Sequence, residues 1–262
     1  MSKKIKYLIS QKKPNVVNGH RPAYHMMSAQ VFDMTDYDIR MTLKKIKRAI
    51  IPVGSLEQHG AHLPVSTDSL IAEYISRILA EKIGGFVLPV ISYGVSFEHK
   101  PMFNISLHNS TLSSMLCDAC ISLAENHIRE IILLNGHHGN TGVLQYIPQE
   151  LERKIPARHV KIHIMNYWQL MTPEFDHAGE VETSLVLAIA PELVHMDRAM
   201  PNSKNLTKSQ AAYRSLTNAP GSFPKITGNG VWGDPTKATA SKGDKLIKEI
   251  IANLAKTMGE LS

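Results

Sequence analysis

Residues 49–83 read AIIPVGSLEQHGAHLPVSTDSLIAEYISRILAEKI, and three textures follow one another within them. AIIPV is an apolar run of strand length. GSLEQHGAHLPVSTD has neither a helical nor a strand period, and SLIAEYISRILAEKI places apolar residues at helical spacing. A strand, a polar loop and a helix in that order open an α/β chain. The loop carries Glu57, His59, His62 and Asp68. It is therefore either a solvated connection or a gathering of metal ligands, because imidazole and carboxylate are the donors that divalent transition ions take.

The alternation continues outward from this unit. FVLPVIS is expected as a strand, followed by YGVSFEHKPMFNISLHN, a connection long enough to act as a lid, and a helix from Thr111. EIILLN (Glu130 to Asn135) is a strand that ends at GHHGN; TGVLQYIPQELERK is helical with an interruption at Pro148, and VKIHIMNYW gives a further strand. HAGEVETSLVLAIAPELV begins polar and becomes apolar, which suggests a helix whose first turns face a pocket; a last helix is expected near Ser241 to Met258. Strands and helices alternating in this way predict a mainly parallel α/β sheet. Ligands of such sheets bind beyond the carboxyl ends of the strands, so the Glu57 and His137 clusters are expected on one sheet edge.

With 262 residues, 43% hydrophobic and 20% charged, one domain with a sizeable core is expected. No apolar run approaches the roughly 20 residues that span a bilayer, and MSKKIKYLISQKK lacks the apolar region of a signal peptide, so a cytoplasmic protein without membrane partners is expected. The net charge of +6 is unevenly spread: residues 1–48 hold 11 Lys+Arg against 3 Asp (+8), the remainder 18 against 20 Asp+Glu (−2). Residues 1–47 thus read as a basic arm and lead-in, with Lys3, Lys4, Lys6, Lys12 and Lys13 solvated, and 48–262 as the domain. No aromatic-and-basic interleaving accompanies those charges, so nucleic acid is not an expected partner. Cys117 and Cys120 lie inside a helically periodic stretch and read as buried packing residues rather than a redox pair. His20, His25, His127, His159, His163 and His195 read as ordinary surface or core histidines.

GSLEQHGAHLPVSTD, NGHHGN and HAGEVETS, in this order, resemble the signature blocks of the creatininase (creatinine amidohydrolase) family, and GVWGDPTKATASKG resembles its C-terminal region. The resemblance runs from about Arg48 to the end. It implies a three-layer α/β/α fold, a two-metal hydrolytic site and a homo-oligomer, commonly a hexamer. It also implies that Glu57 and His137 hold one ion, His59 the other, and Asp68 bridges them, the metals being zinc, manganese or iron. Creatininase itself carries an acidic residue two places after the histidine of NGH, where this sequence has Gly139. Glu180 of HAGE is the expected substitute ligand, with His177 and Glu182 as the catalytic acid/base pair.

The resemblance further implies hydrolysis of a non-peptide C–N bond in a small amide. Gly139, together with FNISL in the lid, argues against creatinine as the first choice, and hydrolysis of creatinine or another cyclic amide is the alternative. The expected reaction is deformylation of a formylaminopyrimidine ribonucleotide on the route to riboflavin and deazaflavin cofactors, with His99 and Lys100 of the lid and the basic arm meeting its phosphate. Trp168 and Trp232 are candidates for pocket walls as much as for packing. The competing class is a metal-containing binding protein without turnover.

Overall fold

The computed structural model describes residues 28–152, 154–155, 160–202 and 219–261. The basic arm, His20, His25 and His159 lie outside them. Five strands form one sheet: β1 (Ser28–Gln30), β2 (Arg48–Val53), β3 (Gly85–Val87), β4 (Glu130–Asn135) and β5 (Lys161–Asn166), in the order β1-β3-β2-β4-β5, every pair parallel. The helices are α1 (Asp36–Thr42), α2 (Thr67–Ile83), α3 (Asn109–Glu125), α4 (Thr141–Leu144), α5 (Ile147–Leu151), α6 (Glu180–Ile189), α7 (Ser222–Thr227) and α8 (Ala240–Leu261).

Two cores lie on the two faces of the sheet and make the fold three-layered. On one face Ile50, Ile132 and Leu134 meet α2, α6 and α8 through Ile71, Ile75, Leu185, Ile250 and Leu254. On the other, Ala49, Ile51, Ile131 and Leu133 meet α3, α4 and α5 through Leu112, Leu116, Leu144 and Leu151. Successive strand side chains point to opposite faces, so AIIPV and EIILLN are apolar throughout because both faces are covered. Cys117 and Cys120 are free and buried in the second core, where burial pushes the Cys120 thiol up to about 12.

Some boundaries differ from the sequence expectation. β3 stops at Val87 because Pro89 removes a ladder donor, and pairing resumes only as a single Val53–Ile91 bridge. The segment after GHHGN is two short helices, α4 and α5, with Pro148 in the first turn of α5, where a missing N–H costs least. The lead-in contributes β1, an edge strand registered on β3, so part of residues 1–47 belongs to the sheet.

Glycines bring the site-bearing loops onto α2. A Cβ at Gly54, just past β2, would lie 2.4 Å from Ser69 Oγ, and one at Gly136, just past β4, 2.4 Å from the Asp68 carbonyl oxygen. Both strand ends rest directly on the first turn of α2.

Candidate metal centre

Residues 55–59 leave β2 in an extended course, anchored by Glu57 N–H to the Val65 carbonyl (3.0 Å) and Gln58 N–H to the Phe103 carbonyl (2.8 Å). Alternation turns Glu57 and His59 the same way and Gln58 the other. Asp68 enters from the first turn of α2, where a carboxylate also meets the positive end of the helix. His137 arrives from β4, placed by Asn135 Oδ1, which accepts from its backbone N–H at 3.1 Å. Asn140 ties the two loops together, donating to the Gly54 carbonyl at 3.0 Å.

These side chains are buried and converge. His137 Nε2 lies 3.3 Å from Glu57 Oε2, and His137 Nδ1 lies 3.2 Å from Asp68 Oδ2. His59 Nε2 lies 3.2 Å from Asp68 Oδ1 and 3.5 Å from Glu182 Oε2. Two ligand triads result, Glu57–Asp68–His137 and His59–Asp68–Glu182, with one Asp68 oxygen turned to each. A third set joins Glu57 and His59 to His177. Glu57 Oε1, His59 Nε2, Asp68 Oδ2 and Glu182 Oε1 are buried without a hydrogen-bond partner. Four orphaned donor atoms in one cluster are costly unless something binds them. The donor set fits divalent transition ions.

Mutual charge decides the protonation of the metal-free site. Burial opposes ionisation of His59, but Asp68 and Glu182 overcome it and push its pKa up to about 10. Burial likewise opposes the Asp68 carboxylate, yet His59 and His137 hold it well below the usual range. Burial, then the charge of His59, keep His177 well below the ordinary imidazole value. His62 hydrogen-bonds to Thr183 Oγ1 at 3.0 Å and belongs to neither triad; burial and the His59 charge lower it to about 4.

The structure does not bring Glu180 to this cluster. Its carboxylate accepts from Lys242 Nζ at 2.6 Å, and its side chain is 38% exposed. The reason is helical phase: residues two apart on a helix lie about 200° apart around it, so only one of Glu180 and Glu182 can face the site. Glu182 does, fixed by the Ala178 N–H at 2.6 Å. It therefore faces His59 rather than pairing with His177. Trp168 packs on Tyr167, Phe175 and His138 at 5.3, 5.2 and 5.8 Å, beside the loop that carries His137. Trp232 serves through its backbone, exchanging two hydrogen bonds with His177 (3.1 and 2.7 Å). His99 is buried at the site: its Nε2 lies 3.0 Å from Glu57 Oε1, off the hydrogen-bond direction, and its ring packs at a tilt on His177 and Phe223. Lys100 is exposed over the Phe97 ring.

Gln58 was not singled out from the sequence. Its Nε2 lies 3.0 Å from the Gly230 carbonyl, 2.9 Å from His99 Nδ1 and 3.2 Å from His177 Nε2, and its Oε1 accepts from Gly60 N–H. A Cβ at Gly230 would sit 2.1 Å from Gln58 Oε1, so the φ of +78° there belongs to a glycine that lets this amide in. With the two protons of Gln58 Nε2 given to the Gly230 carbonyl and His99 Nδ1, His177 donates from its own Nε2 to the Gln58 backbone carbonyl (3.1 Å) and turns an unprotonated Nδ1 toward Glu57. Asp176 is also new: it accepts from the Val181 and Glu182 N–H groups and caps α6, and burial raises it to about 7.

The creatininase family model, described as creatinine amidohydrolase, matches residues 32–258. The chain belongs to the creatininase family. A mycofactocin precursor peptide peptidase from Mycolicibacterium smegmatis is 29% identical over 89% of this chain and 93% of its own. The creatinine amidohydrolase of Pseudomonas putida is 27% identical over 80% and 88%. A methanogen deformylase acting on 2-amino-5-formylamino-6-ribosylaminopyrimidin-4(3H)-one 5'-monophosphate, from Methanosphaera stadtmanae, is 26% identical over 53% and 59%. A structure described as "Creatininase Mn" superposes with a TM-score of 0.74 at 25% identity, over 89% of this chain and 98% of that one. The protein is an amidohydrolase of this family, with residue groups suited to metal. Among the described residues no helix is long and apolar enough to cross a membrane.

Proposed function

We propose that the chain hydrolyses the C–N bond of a small amide at two divalent transition ions, zinc, manganese or iron. Glu57, Asp68 and His137 would hold one ion, and His59, Asp68 and Glu182 the other. Glu182 takes the place first given to Glu180, whose carboxylate is engaged by Lys242. The observation that carries this reading is Asp68, whose two oxygens address two different imidazoles. Ions bound there supply a Lewis acid for the substrate carbonyl and lower the pKa of a water.

The chain's own residues handle the proton and the enclosure. His59 Nδ1 is 3.1 Å from the Glu57 carbonyl oxygen, a bond that fixes the ring and leaves Nε2 for metal. His177 rests neutral with Nδ1 unprotonated, so it acts first as a base: the proton it gives to the departing nitrogen is one that Nδ1 has already taken from water. His99 packs at a tilt on Phe223 at 4.5 Å and His177 meets the same ring edge-on at 4.7 Å, a wall that excludes solvent from that side.

Deformylation of a formylaminopyrimidine ribonucleotide is the finer form of the proposal, drawn from the style of the NGHHGN and HAGE blocks. The breadth of likeness favours a second reading, cleavage of a short peptide amide, since the peptidase relative matches 89% of this chain and the deformylase 53%. A phosphate contact through His99 drops out, because that ring is enclosed beside Glu57. The proposal includes a cytoplasmic homo-oligomer, with exposed Phe103 and Ile105 in keeping with a covered face.

The test is metal analysis of protein purified without chelator, followed by assay on formamides, creatinine and short peptides. Two ions per chain and formate release would support the finer form. Peptide cleavage without formate release would replace it with the second reading. A folded protein without metal or turnover would sink both.

A further inference from the structure

Glu98 lies in the short turn Phe97–His99 of the lid and is a carboxylate that neither triad uses. It is 7% exposed, and its Oε1 comes no nearer than 3.8 Å to His137 Nε2 and 3.9 Å to His99 Nε2, both beyond a hydrogen bond. Its carboxylate accepts from its own backbone N–H, and among the described residues no hydrogen bond from another residue reaches it. Gly139 makes room for it: a Cβ there would lie 2.9 Å from Glu98 Oε1. Glu98 also lines a cavity of about 740 Å³, together with Phe97, His108, His138, Gly139 and Gln145. One carboxylate thus stands between the metal centre and the space beside it.

A buried carboxylate held only by its own N–H and by two imidazoles beyond hydrogen-bond reach keeps unused acceptor capacity, which a docking cation or N–H-rich group would take up. We propose that Glu98 is a specificity residue: it receives a cationic or N–H-rich part of the substrate in the cavity while the amide carbonyl lies toward Glu57, Asp68 and His137. The assignment rests on the hydrolytic reading above for the placing of the carbonyl, but the recognition by Glu98 is separable from it. Preferred substrates then carry an amine, amidine or multiple N–H donors near the scissile amide. Amides with a carboxylate or purely apolar group at that place are excluded by repulsion or by leaving Glu98 bare.

Acetamidinium and acetamide share one shape and differ in charge and donors, and the protonated cation offers no lone pair to a metal. Their dissociation constants, measured by NMR titration on full-length protein with its metal content determined alongside, test the proposal. Wild-type protein is expected to bind acetamidinium at least about tenfold tighter than acetamide, the scale of one charge-assisted hydrogen bond. Glu98→Gln is expected to bring the ratio near one with metal content unchanged. A wild-type protein with no preference, or with no binding of either probe, overturns the proposal. So does a preference that survives Glu98→Gln, or metal lost in that variant, which would make Glu98 a ligand. A wild-type protein that lacks metal but keeps a Glu98-dependent preference would fail the hydrolytic reading and support this one.

Discussion

Residues 54–68 send His59 and two carboxylates, Glu57 and Asp68, into the site, and residues 176–182 send His177 and Glu182, but by different geometry. In the first segment an extended backbone alternates sides, so Glu57 and His59 reach the site together and the intervening Gln58 is turned to the lid and the Gly230 turn. In the second, a loop becomes a helix inside four residues, and the phase of that helix selects Glu182 over Glu180. Extended segments transmit sequence spacing into space directly. A helix start transmits it only once the first turn is known.

The largest effect should come from breaking the residue that both halves share. Asp68→Asn is expected to lose both ions and at least about a thousandfold in kcat/KM, as removal of several kcal/mol of Lewis-acid stabilisation implies. Metal analysis and turnover check it, and full loading in this variant would refute the shared role. The comparison itself is sharpened by a pair: Glu182→Gln should hold one ion per chain, whereas Glu180→Gln should hold two. Gly139→Ala would place a Cβ 2.3 Å from the Val95 carbonyl and 2.4 Å from His137 Nε2, so a loss of about 1–3 kcal/mol in unfolding free energy is expected from denaturant titration.

Proton release gives a finer probe. His59 of the metal-free protein, with its pKa raised to about 10, is protonated at pH 7.5 and must lose that proton before Nε2 can coordinate. Metal uptake should therefore release protons and tighten with rising pH, which calorimetry in buffers of different ionisation enthalpy will show. For the metal-free fold the sign is opposite. A raised folded-state pKa contributes stability that is complete below the unfolded value of 6.5 and is lost as pH climbs through about 10. The smallest effect is on the exposed Glu180–Lys242 pair, where Glu180→Gln should change stability by less than about 1 kcal/mol.

β2, β4, α2 and α8 were legible because their apolar periods are long or uninterrupted, and the convergence of Glu57, Asp68 and His137 follows from two strand ends on one sheet edge. β1 was not legible: Ser28, Ala29 and Gln30 carry no apolar signal and form a strand only because β3 leaves an edge free. Glu180 was favoured over Glu182 because spacing in a linear block does not give helical phase. Gln58 was missed because it is the off-side residue of an alternation, and Glu98 because a lone acid in a lid has no partner in sequence. A usable signal for both exists in the glycines, since Gly230 and Gly139 are the positions whose missing side chains admit them.

The contact of Gly54 and Gly136 with the first turn of α2 has a consequence for redesign. The spacing of the two triads rests on glycine backbone set against the first turn of α2, with only the small Ser69 and Ala72 side chains at the contact. Exchanging His59 or Glu182 for another donor can change which metal is taken, yet the distance across the pair should stay where the two strand ends have set it. A variant library aimed at metal choice can therefore be read without a second variable moving beneath it.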